Sequence, residues 1–509
     1  MTTLLPQEIE LKLALPPDRV EAFLARMARR RVQPEQQRLH TRYFDTPDFD
    51  LGAAGVALRV RRAGRRWLQT LKTEGERQGG LSQRLEFEMP APAGALDWSR
   101  FPAAARAFVP AAWRERLAPA FETRFERLAW QLALRDGSRI ELALDRGEVR
   151  AGEAVAPICE IELELKAGRP DALFDLAIVW AADFGCLPDD LSKAARGARL
   201  ARGARLARGM KPAPVKSGVL ALDPAGSVEA GFAAVCRDAL AHFQANLPGT
   251  LADDDPEYLH QARVALRRLR AGLRLFRKDC PFPVELLDGL RALAAALGPA
   301  RDWDVLCLET LPAIAPHFDD QAAREAGMAA LHARRDAVHA GMQDALAAAR
   351  PGAWLLECQR WLLRQGWRDA PEAQRLRQLA PLSRWARRAL RRGDRAIRRD
   401  VRRFATLSAD ARHALRIDIK RQRYALEFFR ALYPGRAPAR YLAALRTLQD
   451  ALGRTNDARV AAGLLMSERR ALGGMGLFAL GWLAARGADP GGDETEKHLK
   501  NFVKIVIDW

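Results

Sequence analysis

The chain has 509 residues, 49% of them hydrophobic and 28% charged, with a formal net charge of +19. Its composition is that of a globular protein, and its length is more than one hydrophobic core organises, so two to four domains are expected. The charge favours an anionic partner without choosing among nucleic acid, a lipid surface and a phosphate polymer.

The opening MTTLLPQEIELKLAL has no basic segment followed by an apolar run, so no signal peptide is expected. No run of about 18 apolar residues occurs, so no transmembrane helix is expected either. The six cysteines (159, 186, 236, 280, 307 and 358) form no CxxC and no Cys/His pair at zinc spacing. Reduced thiols in a cytoplasmic compartment are expected.

The first ~200 residues alternate with period 2. EIELKLAL, GVALRVRR, RWLQTLKT, LSQRLEFEMP, RFERLAWQLAL, SRIELALDRG and PICEIELELKAG are bounded by Gly, Pro or Asp. Helical stretches interrupt them near 18–31 and 170–184. The pattern predicts an antiparallel sheet or barrel. Its non-apolar face is densely charged, where an exposed sheet face is ordinarily bland. Glu8, Glu10 and Lys12 share one face, as do Arg59 and Arg61, then Arg84, Glu86 and Glu88, then Glu160, Glu162 and Glu164. Such faces meet either water or a common interior. An interior lined with both signs would suit a metal bridged to a polyanion. Paired carboxylates are hard-oxygen ligands for Mg2+ or Mn2+, and Arg59, Arg61, Lys72 and Arg127 alternate with them as phosphate-binding cations.

After Ser192 the hexapeptide ARGARL occurs twice in tandem, and residues 206–217 read as a linker. From about 218 the period becomes helical, with an internal repeat over 218–355 and 375–505. HQARVALRRLR (260–270) matches HALRIDIKRQR (413–423), and LGPARDWDV (297–305) matches LGRTNDARV (452–460). The His-to-Asp separation is 42 residues in the first copy and 44 in the second. Two helical bundles related by a pseudo-twofold axis are expected. Their basic helices present His260, Arg263, Arg267, Arg270 and Arg274 in one arc and His413, Arg416, Lys420 and Arg423 in the other. His260 and His413 are read as phosphate contacts, because neither has a second ligand at helical spacing for a metal. His317, His332, His339 and His498 are read as solvated surface, His242 as structural, and His40 as a candidate near the barrel interior. A further helix, 382–403, should carry Arg384, Arg388, Arg391, Arg395, Arg398 and Arg402 along one face. These rows fit a linear polyanion. No nucleic-acid module or interleaved stacking aromatics accompany them, and the leucines opposite are needed for a core rather than for lipid.

In order, EIELK, TRYFDTPDFDL, LRVR, TLK, RLEFE, LALDRGEV, EIELE and SKAARG resemble the CYTH domain of the triphosphate tunnel metalloenzymes, over residues 1–205. The histidine- and arginine-bearing repeats over 218–505 resemble a CHAD domain. The resemblance implies an α+β chain: an eight-stranded antiparallel β tunnel followed by an all-α pair of bundles. It implies hydrolysis of inorganic triphosphate to pyrophosphate and phosphate, inorganic polyphosphate bound by the helices, and a cytoplasmic protein associated with polyphosphate granules. Glu8, Glu10, Glu88, Glu160 and Glu162 would hold Mg2+ or Mn2+. Arg59, Arg61, Lys72, Arg84, Arg127 and Lys193 would contact the triphosphate, with Arg196 as an alternative to Lys193. Glu86 and Asp145 would line the tunnel or orient these groups, and Lys12 or Tyr43 would help deprotonate the attacking water. Two other readings stand beside this one. One is a non-catalytic polyphosphate-binding protein. The other is a tunnel enzyme acting on thiamine triphosphate, or on ATP as an adenylyl cyclase.

Overall fold

The computed structural model describes all residues except 1–6, 31, 206–212, 253–254, 453, 489–491 and 508. Two compact units emerge: residues 1–213 with 350–364, and residues 214–349 with 365–509.

The first unit is built on ten strands: β1 (Gln7–Ala14), β2 (Glu35–Asp45), β3 (Val56–Ala63), β4 (Arg66–Thr73), β5 (Glu76–Gln78), β6 (Leu81–Pro90), β7 (Ala118–Ala133), β8 (Arg139–Ala151), β9 (Ala154–Ala167) and β10 (Leu187–Pro188). Eight of them close a barrel in the order β1-β9-β8-β7-β2-β3-β4-β6, with β6 returning to β1 and every neighbour antiparallel. Closure leaves the staves without free edges. The strands alternate apolar-out and charged-in. Leu11, Leu13, Leu142, Leu144, Ile161 and Leu163 form an outer core with helices α1 (Val20–Ala28) and α2 (Asp171–Phe184), where Phe23, Phe174 and Trp180 are buried. The intervening charged side chains have one place left to go, which is inward. Helix α3 (Lys193–Arg205) follows the barrel, with Gly197 so close to Phe121 that a Cβ there would lie 2.1 Å from the ring.

The second unit is helical. Its longer helices are α4 (Val228–Ala252), α5 (Pro256–Phe276), α6 (Val284–Asp304) and α7 (Gln321–Ala348), then, after an excursion, α9 (Leu382–Val401), α10 (Ala409–Phe428), α11 (Arg436–Ala451), α12 (Arg454–Ser467), α13 (Arg469–Ala488) and α14 (Gly492–Val503). The excursion is α8 (Pro351–Leu363), whose Ala353 and Leu356 are part of the barrel unit's outer core. In that unit α8 also pairs Arg360 with Asp175 at 2.5 Å and Arg364 with Asp171 at 2.8 Å. The repeat is visible where α4 and α9 begin. Val228 N–H donates to the Ala380 carbonyl at 3.0 Å and Leu382 N–H donates to the Gly226 carbonyl at 2.9 Å, a reciprocal pair around the Ser227–Pro381 bridge. Among the described residues, no helix is long and apolar enough to cross a membrane.

Candidate functional site

The barrel interior holds a cavity of about 820 Å3 lined by both signs of charge. Strand register sets the pairs. Glu8 lies opposite Arg84 across β1 and β6, Lys72 opposite Glu86 across β4 and β6, and Asp145 opposite both Arg127 and Glu160 across β7, β8 and β9.

Two clusters result. In the first, Arg84 donates to Glu8 at 2.8 Å and to Glu10 at 2.6 Å, while Lys72 donates to Glu8 at 2.8 Å and sits 3.2 Å from Glu86. In the second, Arg127 holds both oxygens of Asp145, at 2.8 and 2.7 Å, and also reaches Glu162. The Lys193 ammonium, delivered by the first turn of α3, donates to Asp145 at 2.6 Å, to Glu162 at 2.9 Å and to Glu160. Arg196, one turn on, reaches Glu160 and Asp189 at 3.0 Å each. Between the clusters, Arg59 lies 3.6 Å from Glu86, and Arg61 lies 2.9 Å from Glu88, which also accepts from the Thr70 hydroxyl at 3.2 Å. Tyr43 faces inward, stacked on Phe121 at 4.6 Å. The Lys12 ammonium donates to the Leu191 carbonyl.

Burial taxes every ion here, and the partners decide the outcome. Burial raises Glu162, but Lys193 and Arg127 outweigh it and hold the carboxyl well below its usual range. Glu160 and Glu8 are likewise lowered against burial, by Lys193 and Lys12 in one case and by Lys72 and Arg84 in the other. Glu10 goes the other way. Burial raises it, Glu162 and Glu8 add to that, and Arg84 only partly opposes it.

Two features bear on a metal and an anion. Asp145, Glu160 and Glu162 each offer an oxygen within 4.8 Å of the others, and Lys193 stands among them as a cation. That donor set, all oxygen and already neutralising one cation, fits a hard divalent ion. The Arg59 and Arg61 Nε atoms are buried without a hydrogen-bond partner among the described residues, as an anion-receiving face would leave them. The resemblance implies a lining or orienting role for Asp145, and the structure places its carboxylate beside Glu160 and Glu162. Glu88 sits farther out, 35% exposed and held by Arg61, and Glu164 pairs with Lys166 at 2.7 Å. His40 is on the outward face of β2, 2.8 Å from Glu122, and does not line the cavity.

In the helical unit, α5 and α10 bring their basic rows together. Lys420 is pushed down to about 8 by burial and by Arg267, Arg416, Arg423 and Arg263, which come from both helices. Arg267, Arg270, Arg274 and His413 are exposed, and His260 is half-buried, its ring pulled down by burial and by Arg301. Arg263 approaches Asp302 at 3.9 Å. Arg423 is committed elsewhere, to Glu427 at 2.7 Å and Gln449 at 2.8 Å. Of the predicted row on α9, Arg384, Arg388, Arg395 and Arg402 are exposed, but two members are not. Arg391 and Arg398 turn to the C-terminal segment, where Arg398 donates to the Val503 and Ile505 carbonyls at 3.0 and 2.7 Å. Two histidines expected in solvent also have partners. His339 bonds the fully buried Asp304 at 2.8 Å, and His317 stacks on Trp482 at 4.4 Å.

Comparison with known proteins gives a match for each half of the chain, the second running through residues 350–364 of the barrel unit. Residues 6–198 match the CYTH domain model and residues 234–466 the CHAD domain model, so the chain carries a CYTH domain and a CHAD domain. An inorganic triphosphatase of Haemophilus influenzae is 33% identical over 205 residues, which are 39% of this chain and 56% of that protein. The chain thus spans about half the length of the curated relative it matches. The crystal structure of the CHAD domain from the plant Ricinus communis is similar at 30% identity and a TM-score of 0.51, covering 58% of this chain and 98% of that one.

Proposed function

We propose that the barrel hydrolyses inorganic triphosphate to pyrophosphate and phosphate with a divalent metal, and that the α5–α10 surface binds inorganic polyphosphate. The observation that carries the first part is that Glu8, Glu10 and Glu162 line one cavity with Arg59 and Arg61, whose Nε atoms have no hydrogen-bond partner among the described residues, while Asp145 and Glu160 lie buried beside Glu162 behind that lining.

Asp145, Glu160 and Glu162, with Glu8 and Glu10 on the neighbouring strand β1, are the residues that would hold Mg2+ or Mn2+. When bound, the metal supplies Lewis-acid charge to phosphate oxygens and lowers the pKa of a bound water. Arg59, Arg61, Lys72, Arg84 and Arg127 grip the triphosphate, and their guanidinium forks suit phosphate oxygens. Water attacks the terminal phosphorus, the anhydride bond to the middle phosphate breaks, and pyrophosphate leaves with the bridging oxygen. Lys193 and Arg84 trade carboxylate partners for phosphate oxygens as the anion enters. Lys12 as the neutral amine, or Tyr43 as the phenolate, would accept the proton of the attacking water. The six free cysteines suit a reducing compartment.

The test is phosphate release from inorganic triphosphate, ATP and thiamine triphosphate, with Mg2+ or Mn2+, by the full chain and by Glu8→Ala/Glu10→Ala. Metal-dependent release from inorganic triphosphate that the variant loses supports the reading. Preference for an organic triphosphate replaces the substrate. No release from any substrate, in a protein that still binds polyphosphate, leaves the helices as the working part.

A further inference from the structure

We infer that the outer face of α9 is a second, separate binding track for a linear phosphate polymer, distinct from the α5–α10 surface. Arg384, Arg388, Arg392, Arg395 and Arg402 are exposed on one side of this helix, at successive steps of 4, 4, 3 and 7 residues. None of their side chains has an ion pair or hydrogen bond among the described residues. At 1.5 Å per residue the row is about 27 Å long. Both acids of the helix are taken: Asp394 accepts from Arg398 at 2.8 Å and Tyr441 at 2.7 Å, and Asp400 from Arg399 at 2.8 Å.

The internal repeat provides a control. Helix α4 is the counterpart of α9 across the reciprocal Ser227–Pro381 bridge. With the two helix starts aligned, Ala230, Ala234, Asp238, Ala241 and Pro248 stand where Arg384, Arg388, Arg392, Arg395 and Arg402 do. The same bundle position is therefore filled without arginine, and folding does not require the row. Like charges at i,i+4 repel one another, and an anion along the face removes that repulsion.

The chemistry of the face selects the anion. It carries no Asn, Gln or Thr to read base edges. The one indole of α9, Trp385, is turned inward, stacked on Phe276 at 4.5 Å with its N–H on Asp279, so no aromatic is offered for base stacking. No large apolar side chain of α9 is exposed, as insertion into lipid would need. A ligand made of phosphate alone, long enough to span the row, meets every condition. Inorganic polyphosphate is that ligand.

This inference rests on reading the helical unit as a phosphate-polymer binder, and the experiment separates the two. Binding of polyphosphate of about one hundred phosphates is measured by fluorescence anisotropy across salt concentrations. The full chain is compared with Arg384→Ala/Arg388→Ala/Arg392→Ala/Arg395→Ala/Arg402→Ala, with the same five positions changed to Lys, and with Arg267→Ala/Lys420→Ala. Circular dichroism and melting confirm that each variant is folded. At about 0.7 counterions per contact, the alanine variant should lower the slope of log affinity against log salt by about 3 to 4, and the lysine variant should restore it. Affinity at about 0.1 M salt should fall more than tenfold. If the alanine variant keeps the parent's slope and affinity while Arg267→Ala/Lys420→Ala loses binding, this inference fails and the reading beneath it stands. If the parent binds duplex DNA through the row and polyphosphate not at all, both fail.

Discussion

The tunnel and the helical faces are both rich in cations, but they stand in opposite electrostatic states. In the tunnel each cluster cation already has a carboxylate partner: Lys193 has three, Arg84 two, Lys72 two. Along α5, α10 and the outer face of α9, cations crowd against cations, and on α10 burial together with Arg267 and Arg416 pushes Lys420 down to about 8. A closed barrel cannot leave buried charge uncompensated. A solvated helix can, because water and counterions screen it. On the function proposed above, the tunnel would work by an exchange of partners as anion and metal enter. The helices would work by simple addition of a polyanion.

The largest effect should come from breaking the exchange. Glu160→Gln/Glu162→Gln should lose metal-dependent release of phosphate from inorganic triphosphate by on the order of 10^3-fold, since the metal supplies several kcal/mol of transition-state stabilisation. A variant that retained more than a tenth of the activity would remove the trio from the mechanism. Next, Lys193→Met takes the shared cation from three carboxylates. It should destabilise the protein by about 3 kcal/mol in a thermal melt, and Mn2+ should recover much of the loss. A melt insensitive to Mn2+ would mean that the trio holds no metal.

The helical side is sharpened by pH. Lys420 has a folded value below the ordinary lysine value of about 10.4. A bound polyanion should raise it, so binding takes up a proton above pH 8. Affinity for polyphosphate should be flat below pH 8 and fall by up to about one decade per pH unit above it. Lys420→Met should remove that dependence. The sign for the unliganded fold is opposite. Between pH 8 and about 10 the unfolded chain holds more protons at this site, so the site's contribution to stability rises with pH. Calorimetry in two buffers of different ionisation heat would count the protons. The smallest effect should be at one exposed arginine. Arg395→Ala should change stability by less than about 0.5 kcal/mol, in the stabilising direction at low salt.

The sequence made the tunnel legible because a barrel turns alternation into inside and outside. Strands with one apolar face, such as β1 and β9, were evident. β2 was not among the period-2 stretches, because both faces of EQQRLHTRYFD are polar: Gln37 and Tyr43 line the cavity while His40 and Arg42 point out. Asp145 joined the metal candidates only through register with Glu160, a relation between strands that one strand's sequence does not contain. On α9 the periodicity gave the helix and four arginines of its exposed row, 384, 388, 395 and 402. It missed that the carbonyls of 503 and 505, more than a hundred residues on, claim Arg398, and that Arg392 rather than Arg391 is exposed. His339 escaped for the same reason, since its partner Asp304 lies on another helix.

Helix α8 bears on how such a chain can be inherited and recombined. It is bracketed by two residues with left-handed backbone, Arg350 (φ 48) and Gln365 (φ 52), and it seats Gly352 where any Cβ would meet the Cys186 carbonyl at 2.0 Å. The barrel's complement of parts is therefore scattered along the gene: residues 1–213 need 350–364 to complete their core. A cut after residue 213 would strip Leu356 from its neighbours and bare the apolar side of α2. The two halves are not beads that a crossover could shuffle at the linker. Any exchange of the barrel must bring along fifteen residues encoded deep within the other half.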